Sequence, residues 1–270
     1  MTAQLFLTYL AFVVAAVIGI SAAYLPRRTT FAIIAGLAIW LVYVGLFSSL
    51  GYMRDASLRP PGIVWVVGPV VLFVVFVVVR SNIGARVAAA IPLWLILGFE
   101  SFRIGVELLI HRLWEDGLVP KLLTYEGGNV DMFFGLSAPI IAWIATRGRL
   151  GLRLAMGWNV LGLLSLANVA ASSVLTGPLK LISTEVPNVA MGIFPYTFIP
   201  GFLAPLAVTL HVLAIRAIAT LLRDTRSPAS GISASTSWFG IRSASCPNHH
   251  SDSWVRIFPL SGIGVGSTWS

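Results

Sequence analysis

Apolar residues fall in long unbroken runs separated by short polar stretches, with none of the sustained alternation that marks a half-buried strand. A helix rises about 1.5 Å per residue and the hydrocarbon of a bilayer is about 30 Å thick, so one crossing takes about 20 mostly apolar residues. Four runs reach that length outright, at about 4–25, 31–51, 62–79 and 154–175, and a fifth at about 196–221 reaches it with His211 inside. Two more are weaker. Residues 87–99 carry no charge but would cover only about 20 Å, which extends the predicted crossing to about 87–114. The last covers about 129–146, between Asp131 and Arg147. The pattern predicts an all-α polytopic membrane bundle of seven transmembrane helices within residues 1–223.

Composition agrees: 57% of residues are hydrophobic and 10% charged, and the mean hydropathy is +0.89. A formal charge of +8 raises nucleic acid as a partner, but the basic residues sit in short clusters between apolar runs, where they act as topology signals. Arg27 with Arg28, Arg80 with Arg86, the Arg147, Arg149 and Arg153 group, and Arg216 with Arg223 fall on alternate connections. Short cytoplasmic loops retain such residues, which predicts the N-terminus outside and the C-terminus in the cytoplasm. The first run has no basic residue ahead of it and a pair behind it, the wrong polarity for a cleaved signal, so it is expected to remain as a span. After Asp224 the composition turns to Ser, Gly, Pro and Arg, and residues 224–270 are expected to form a disordered cytoplasmic tail. Cys246, His249, His250 and Asp252 lie there at short spacing, but a flexible tail makes no metal site of them, and no metal is expected. A lone cysteine also excludes a disulfide framework.

Within the fourth predicted span, FESFRIGVELLIH at residues 99–111 concentrates ionisable groups. At about 100° per residue Glu100, Arg103, Glu107 and His111 share one helix face, so the stripe turns from lipid toward protein or water. Two readings remain open. The stripe is a ladder of i,i+3 and i,i+4 pairs that neutralises itself and pins the helix into the bundle, or it lines a polar cavity that binds a solute or relays protons. Glu107 and His111 one turn apart suggest a metal, but the further ligands such a site needs are scarce. In the cavity reading Arg103 holds an anionic group, Glu107 and His111 exchange protons, and His211 sits at the inner end.

His211 is expected at about the height of Glu100, and Pro200 and Pro205 before it are expected to break the last helix and open space. On the sixth predicted span Ser165, Asn168 and Ser172 share a face, with Asn159 opposite; Asn168 is the candidate for solute contact, against interhelical glue. The segment TYEGGNVDMFFG, residues 124–135, supplies a turn at Gly127-Gly128, a cap at Asn129 and an anion in the first helical turn at Asp131. Glu126 and Asp131 are candidates for an acidic outer mouth.

The last predicted span has no lysine for a retinal Schiff base, and no protease, hydrolase or phosphate-loop motif occurs. The stretches at residues 99–139 and 158–169 resemble a group of uncharacterised bacterial integral membrane proteins, over about residues 88–215. That resemblance implies a bacterial inner-membrane location and no activity or cofactor. The expectation is an inner-membrane protein that binds or transports a small polar solute or protons. The alternatives are a membrane-embedded enzyme or haem or metal protein using the Glu and His groups, and a non-catalytic scaffold. Neither cofactor nor oligomeric state is specified.

Overall fold

Helix α1 (Thr2–Tyr24) ends one residue before Leu25-Pro26, where the proline ring disfavours helical backbone in the residue ahead of it, and α2 (Arg27–Ser49) starts beyond. The computed structural model describes residues 2–55 and 57–224, and no strand occurs among them. The expected tail from residue 225 onward, with Cys246, His249, His250 and Asp252, lies outside the described residues.

Helix α3 (Gly62–Phe73) follows Pro60-Pro61 and runs on as a π-helical turn at Val74–Val79. Pro69 within it has no N–H for the carbonyl of Trp65, four residues back. Tyr43 of α2 donates its hydroxyl to that carbonyl at 3.0 Å. The last helix repeats the device. It opens as a π-helical turn at Ile199–Leu203 and continues as α9 (Ala204–Asp224). Pro205 offers nothing to the carbonyl of Gly201, and Trp40 Nε1 donates to it at 2.7 Å. Aromatic side chains of α2 thus satisfy carbonyls that prolines release in two neighbouring helices.

The fourth predicted span departs from expectation. Helix α4 (Asn82–Ala90), capped by Ser81 Oγ accepting from the N–H of Ile83 and Gly84 at 3.1 and 3.3 Å, is a separate piece. It stands at 96° to Leu93–Glu115, because Pro92 forces Ile91 into extended backbone. The long segment therefore begins at Leu93 rather than about 87, as α5 (Leu93–Phe99) and α6 (Phe102–Glu115). At the joint the N–H groups of Glu100, Ser101, Arg103 and Ile104 bond carbonyls three residues back. This tighter winding lies where the ionisable stripe begins.

Helix α7 (Asp131–Ala145) is 15 residues long and α8 (Arg149–Thr176) is 28. Between them Gly148 takes φ +86°, and a Cβ on Gly151 would collide with the Ile144 carbonyl. Five helices are long and apolar enough to cross a membrane, or six with the bent pair counted as one, and α7 is shorter. Their outward side chains include Phe12, Phe31, Ile39 and Leu161, all largely exposed. Such an apolar exterior suits lipid rather than water.

Candidate functional site

Arg103 ties three helices together. From α6 its Nη2 donates to Asp131 Oδ1 of α7, and its Nη1 lies 3.1 Å from His211 Nε2 of α9 and 3.9 Å from Glu100 Oε2. Its guanidinium also faces the Phe134 ring at 5.2 Å. Glu100, Arg103 and Glu107 are each at most 2% exposed, and His211 is wholly buried. Three of the four stripe residues, Glu100, Arg103 and Glu107, thus face the bundle interior.

The hydrogen-bond roles around His211 are fixed by its neighbours. Asn159 Nδ2 donates to Ala155 O at 2.7 Å, which leaves Asn159 Oδ1 to accept from His211 Nδ1 at 2.8 Å. The ring hydrogen therefore sits on Nδ1, and Nε2 accepts from Arg103. Glu100 Oε1 lies 3.5 Å from the same Nδ1. Trp158 packs on the imidazole edge at 5.3 Å, and a Cβ on Gly162 would collide with the ring. Only glycine at 162 admits the histidine.

Glu107 is held differently. Asn129 Nδ2 donates to its Oε1 at 2.5 Å and to Leu123 O at 3.1 Å, while Asn129 Oδ1 accepts from the Asp131 N–H at 3.0 Å. One asparagine thus starts α7 and engages α6. Asp131 Oδ1 also accepts from Ser165 Oγ of α8 at 2.8 Å. Both oxygens of Glu100, Oε2 of Glu107 and Nε of Arg103 are buried without a hydrogen-bond partner. The cluster holds carboxyls at Glu100, Glu107 and Asp131 against one guanidinium.

The continuous ladder does not form. Arg103 pairs with Glu100 and Asp131, Glu107 turns to Asn129, and His111 lies 3.8 Å from Glu115 Oε1 and stacks on Tyr125 at 4.7 Å. His111 is therefore separate from the cluster, near the end of α6. Asp131, expected at an outer mouth, lies in the buried cluster, because the first turn of α7 faces α6. Glu126 stays outside, paired with Lys121 at 3.1 Å. Asn168 is exposed on α8 away from the cluster, while Asn159, on the face read as opposite, meets His211. Asn129 was legible as a cap and Asn159 and Ser165 as polar residues in an apolar run, but their partners Glu107, His211 and Asp131 lie on other helices. No group of three or more potential metal ligands occurs among the described residues.

A cleft of about 950 Å³ adjoins the cluster. Helix α3 forms one wall through Val67 and Val71, α8 the other through Leu166 and Ala170, and Leu203 and Val208 close the back. Of the cluster's ionisable groups, Arg103 and Asp131 line this cleft and Glu100, Glu107 and His211 do not. Arg54, Asp55, Arg59 and Lys180 line its rim. Asp131 Oδ1 is taken by Arg103 and Ser165, and no described residue donates to its Oδ2.

Residues 60–219 match the family model described as Domain of unknown function (DUF8737), a segment that contains the whole cluster. No curated protein matches the chain, and neither does any solved structure.

Proposed function

The chain belongs to the DUF8737 family, whose function is unknown, and we propose that it is a multi-pass membrane protein whose buried cluster takes up and releases protons as a molecule binds in the adjoining cleft. One observation carries this reading. Three carboxyls and one guanidinium share an enclosed site, so neutrality there needs two further positive charges, from protons or from a bound cation. The Arg103–Asp131 pair connects that imbalance to the cleft.

In this reading Arg103 takes a different role from the one expected. With Asp131, His211 and Glu100 around its guanidinium, it orients the cluster rather than waiting for an anionic solute. Proton exchange is assigned to Glu100, both of whose oxygens lack a donor, and to Glu107, whose Oε2 does. We infer seven crossings with the N-terminus outside, α7 being the short one, in a bacterial inner membrane. Support for the alternation comes from Thr2 Oγ1, which donates to Asp116 at 2.7 Å and sets the start of α1 beside the end of α6.

The rival is a purely structural tie, favoured by the way Arg103 joins α6, α7 and α9. Glu107→Gln separates the two, since its carbonyl still accepts from Asn129. In vesicles loaded with a pH-sensitive dye, the folded variant is expected to lose most of the proton uptake that the native protein shows. Unchanged uptake, or a variant that fails to fold until the stripe is repacked with apolar residues, establishes the structural tie instead.

A further inference from the structure

The charge distribution around the cleft, beyond making it a binding site, selects what enters it. Deep in the cleft, Asp131 presents Oδ2, to which no described residue donates. Behind it stands Glu100, 1% exposed, both of its oxygens without a donor. Arg103 shares that wall, yet three carboxyls against one guanidinium make this end negative once they give up their protons. A carboxylate surplus in low dielectric attracts a positive centre far more strongly than the same groups would in water.

The rim has the opposite sign. Arg54, Arg59 and Lys180 carry positive charge there against the single carboxylate of Asp55. The Ser57 hydroxyl and then its N–H hold the Asp55 carboxyl below its usual range, so it stays ionised, turned to Ser57. The stem of Arg54 passes close to Gly192, where a Cβ would come within 2.9 Å of the arginine Cγ. Lys180 holds φ +49°, left-handed backbone that residues other than glycine rarely adopt. A basic rim repels small hydrated cations from water. The walls between rim and Asp131 are apolar apart from Ser173 and Asn188, and Val71 and Ala170 at their edges are exposed.

Resting on that proton-coupled reading, we propose that the cleft binds a lipophilic cation that arrives through the bilayer between α3 and α8 and seats its positive centre on Asp131 Oδ2. Its apolar groups lie along α3 and α8, and its charge replaces protons held by the carboxyls. A volume of about 950 Å³ accommodates a bulky organic cation, at the upper end of the usual range for small-molecule sites.

The test uses the full chain in nanodiscs of zwitterionic lipid, with radiolabelled tetraphenylphosphonium as probe and the equally bulky tetraphenylborate anion as control. The phosphonium is expected to bind at least about tenfold more tightly than the borate, with affinity falling as pH falls because protons compete. Asp131→Asn keeps an acceptor for Arg103 and Ser165 and should cost about tenfold or more in phosphonium affinity. Ala170→Trp, which fills the cleft without touching the cluster, should abolish binding; it decides the matter if the Asp131 variant does not fold. Equal binding of the two ions, or phosphonium binding unaffected by either folded variant, overturns the proposal. Binding that needs Asp131 but releases no protons into a weakly buffered dye solution overturns the proton-coupled reading and leaves the ligand class standing.

Discussion

Gly162 and His211 show how closely single residues are matched in the cluster. The imidazole is bonded on both nitrogens, to Asn159 and Arg103, and cannot swing away from a methyl group placed at 162. Gly162→Ala should therefore destabilise the protein by about 1–3 kcal/mol, the range for overpacking a tight interior. Chemical unfolding in mild detergent measures it, and an unchanged midpoint would show that the ring has room to move. At this scale the sequence was partly readable. Helical spacing placed Glu100, Arg103 and Glu107 on an inward face, and their burial follows from the cost of charge in hydrocarbon. The same spacing set Asn168 with Ser165 on one face and Asn159 on the opposite one, yet Asn159 meets His211 while Asn168 is exposed, since periodicity assigns residues to faces without saying which face a neighbour covers. Asp131 was legible as a first-turn anion, and its engagement with Arg103 was not, because that contact joins residues 28 apart.

Among elements, prolines decide most of what runs of apolar residues leave open. Pro92 separates α4 from the segment that follows, shortening a crossing that hydropathy alone extends backward to about residue 87. Pro69 and Pro205 release carbonyls that Tyr43 and Trp40 recover from α2. The aromatics read as ordinary apolar residues in the sequence, their N–H and O–H being invisible to a hydropathy sum. Trp40→Phe keeps the ring and removes the donor to Gly201, so it should cost about 1–3 kcal/mol, the penalty for a buried carbonyl left unpaired. Trp40→Phe combined with Pro205→Ala, which restores a backbone N–H, should recover part of that loss in the same unfolding measurement. No recovery would mean the indole matters through packing alone.

For the whole molecule, the expected alternation of loops is open to a direct check. With Cys246 replaced by Ser, a single cysteine at Ser57 should react with a membrane-impermeant maleimide on intact cells, and one at Arg147 only after permeabilisation. The reverse pattern inverts the orientation, and equal labelling of both positions on intact cells means that the crossings between them do not alternate as inferred. Helix count is where apolar runs and structure diverge most. The 15 residues of α7 rise only about 22 Å, and such a helix cannot be told by length from a buried core helix.

The bonds of Arg216 bear on how these helices move. Its guanidinium donates to the carbonyls of Val78, Val79 and Ser81, where α3 ends its π-helical turn, and so clamps α3 to the last turns of α9. Tyr43 holds the same helix to α2 at Trp65, so α3 is riveted near both ends. A rod held that way moves only with its neighbours, and widening the cleft would mean carrying α2 and α9 along or breaking one of the two ties.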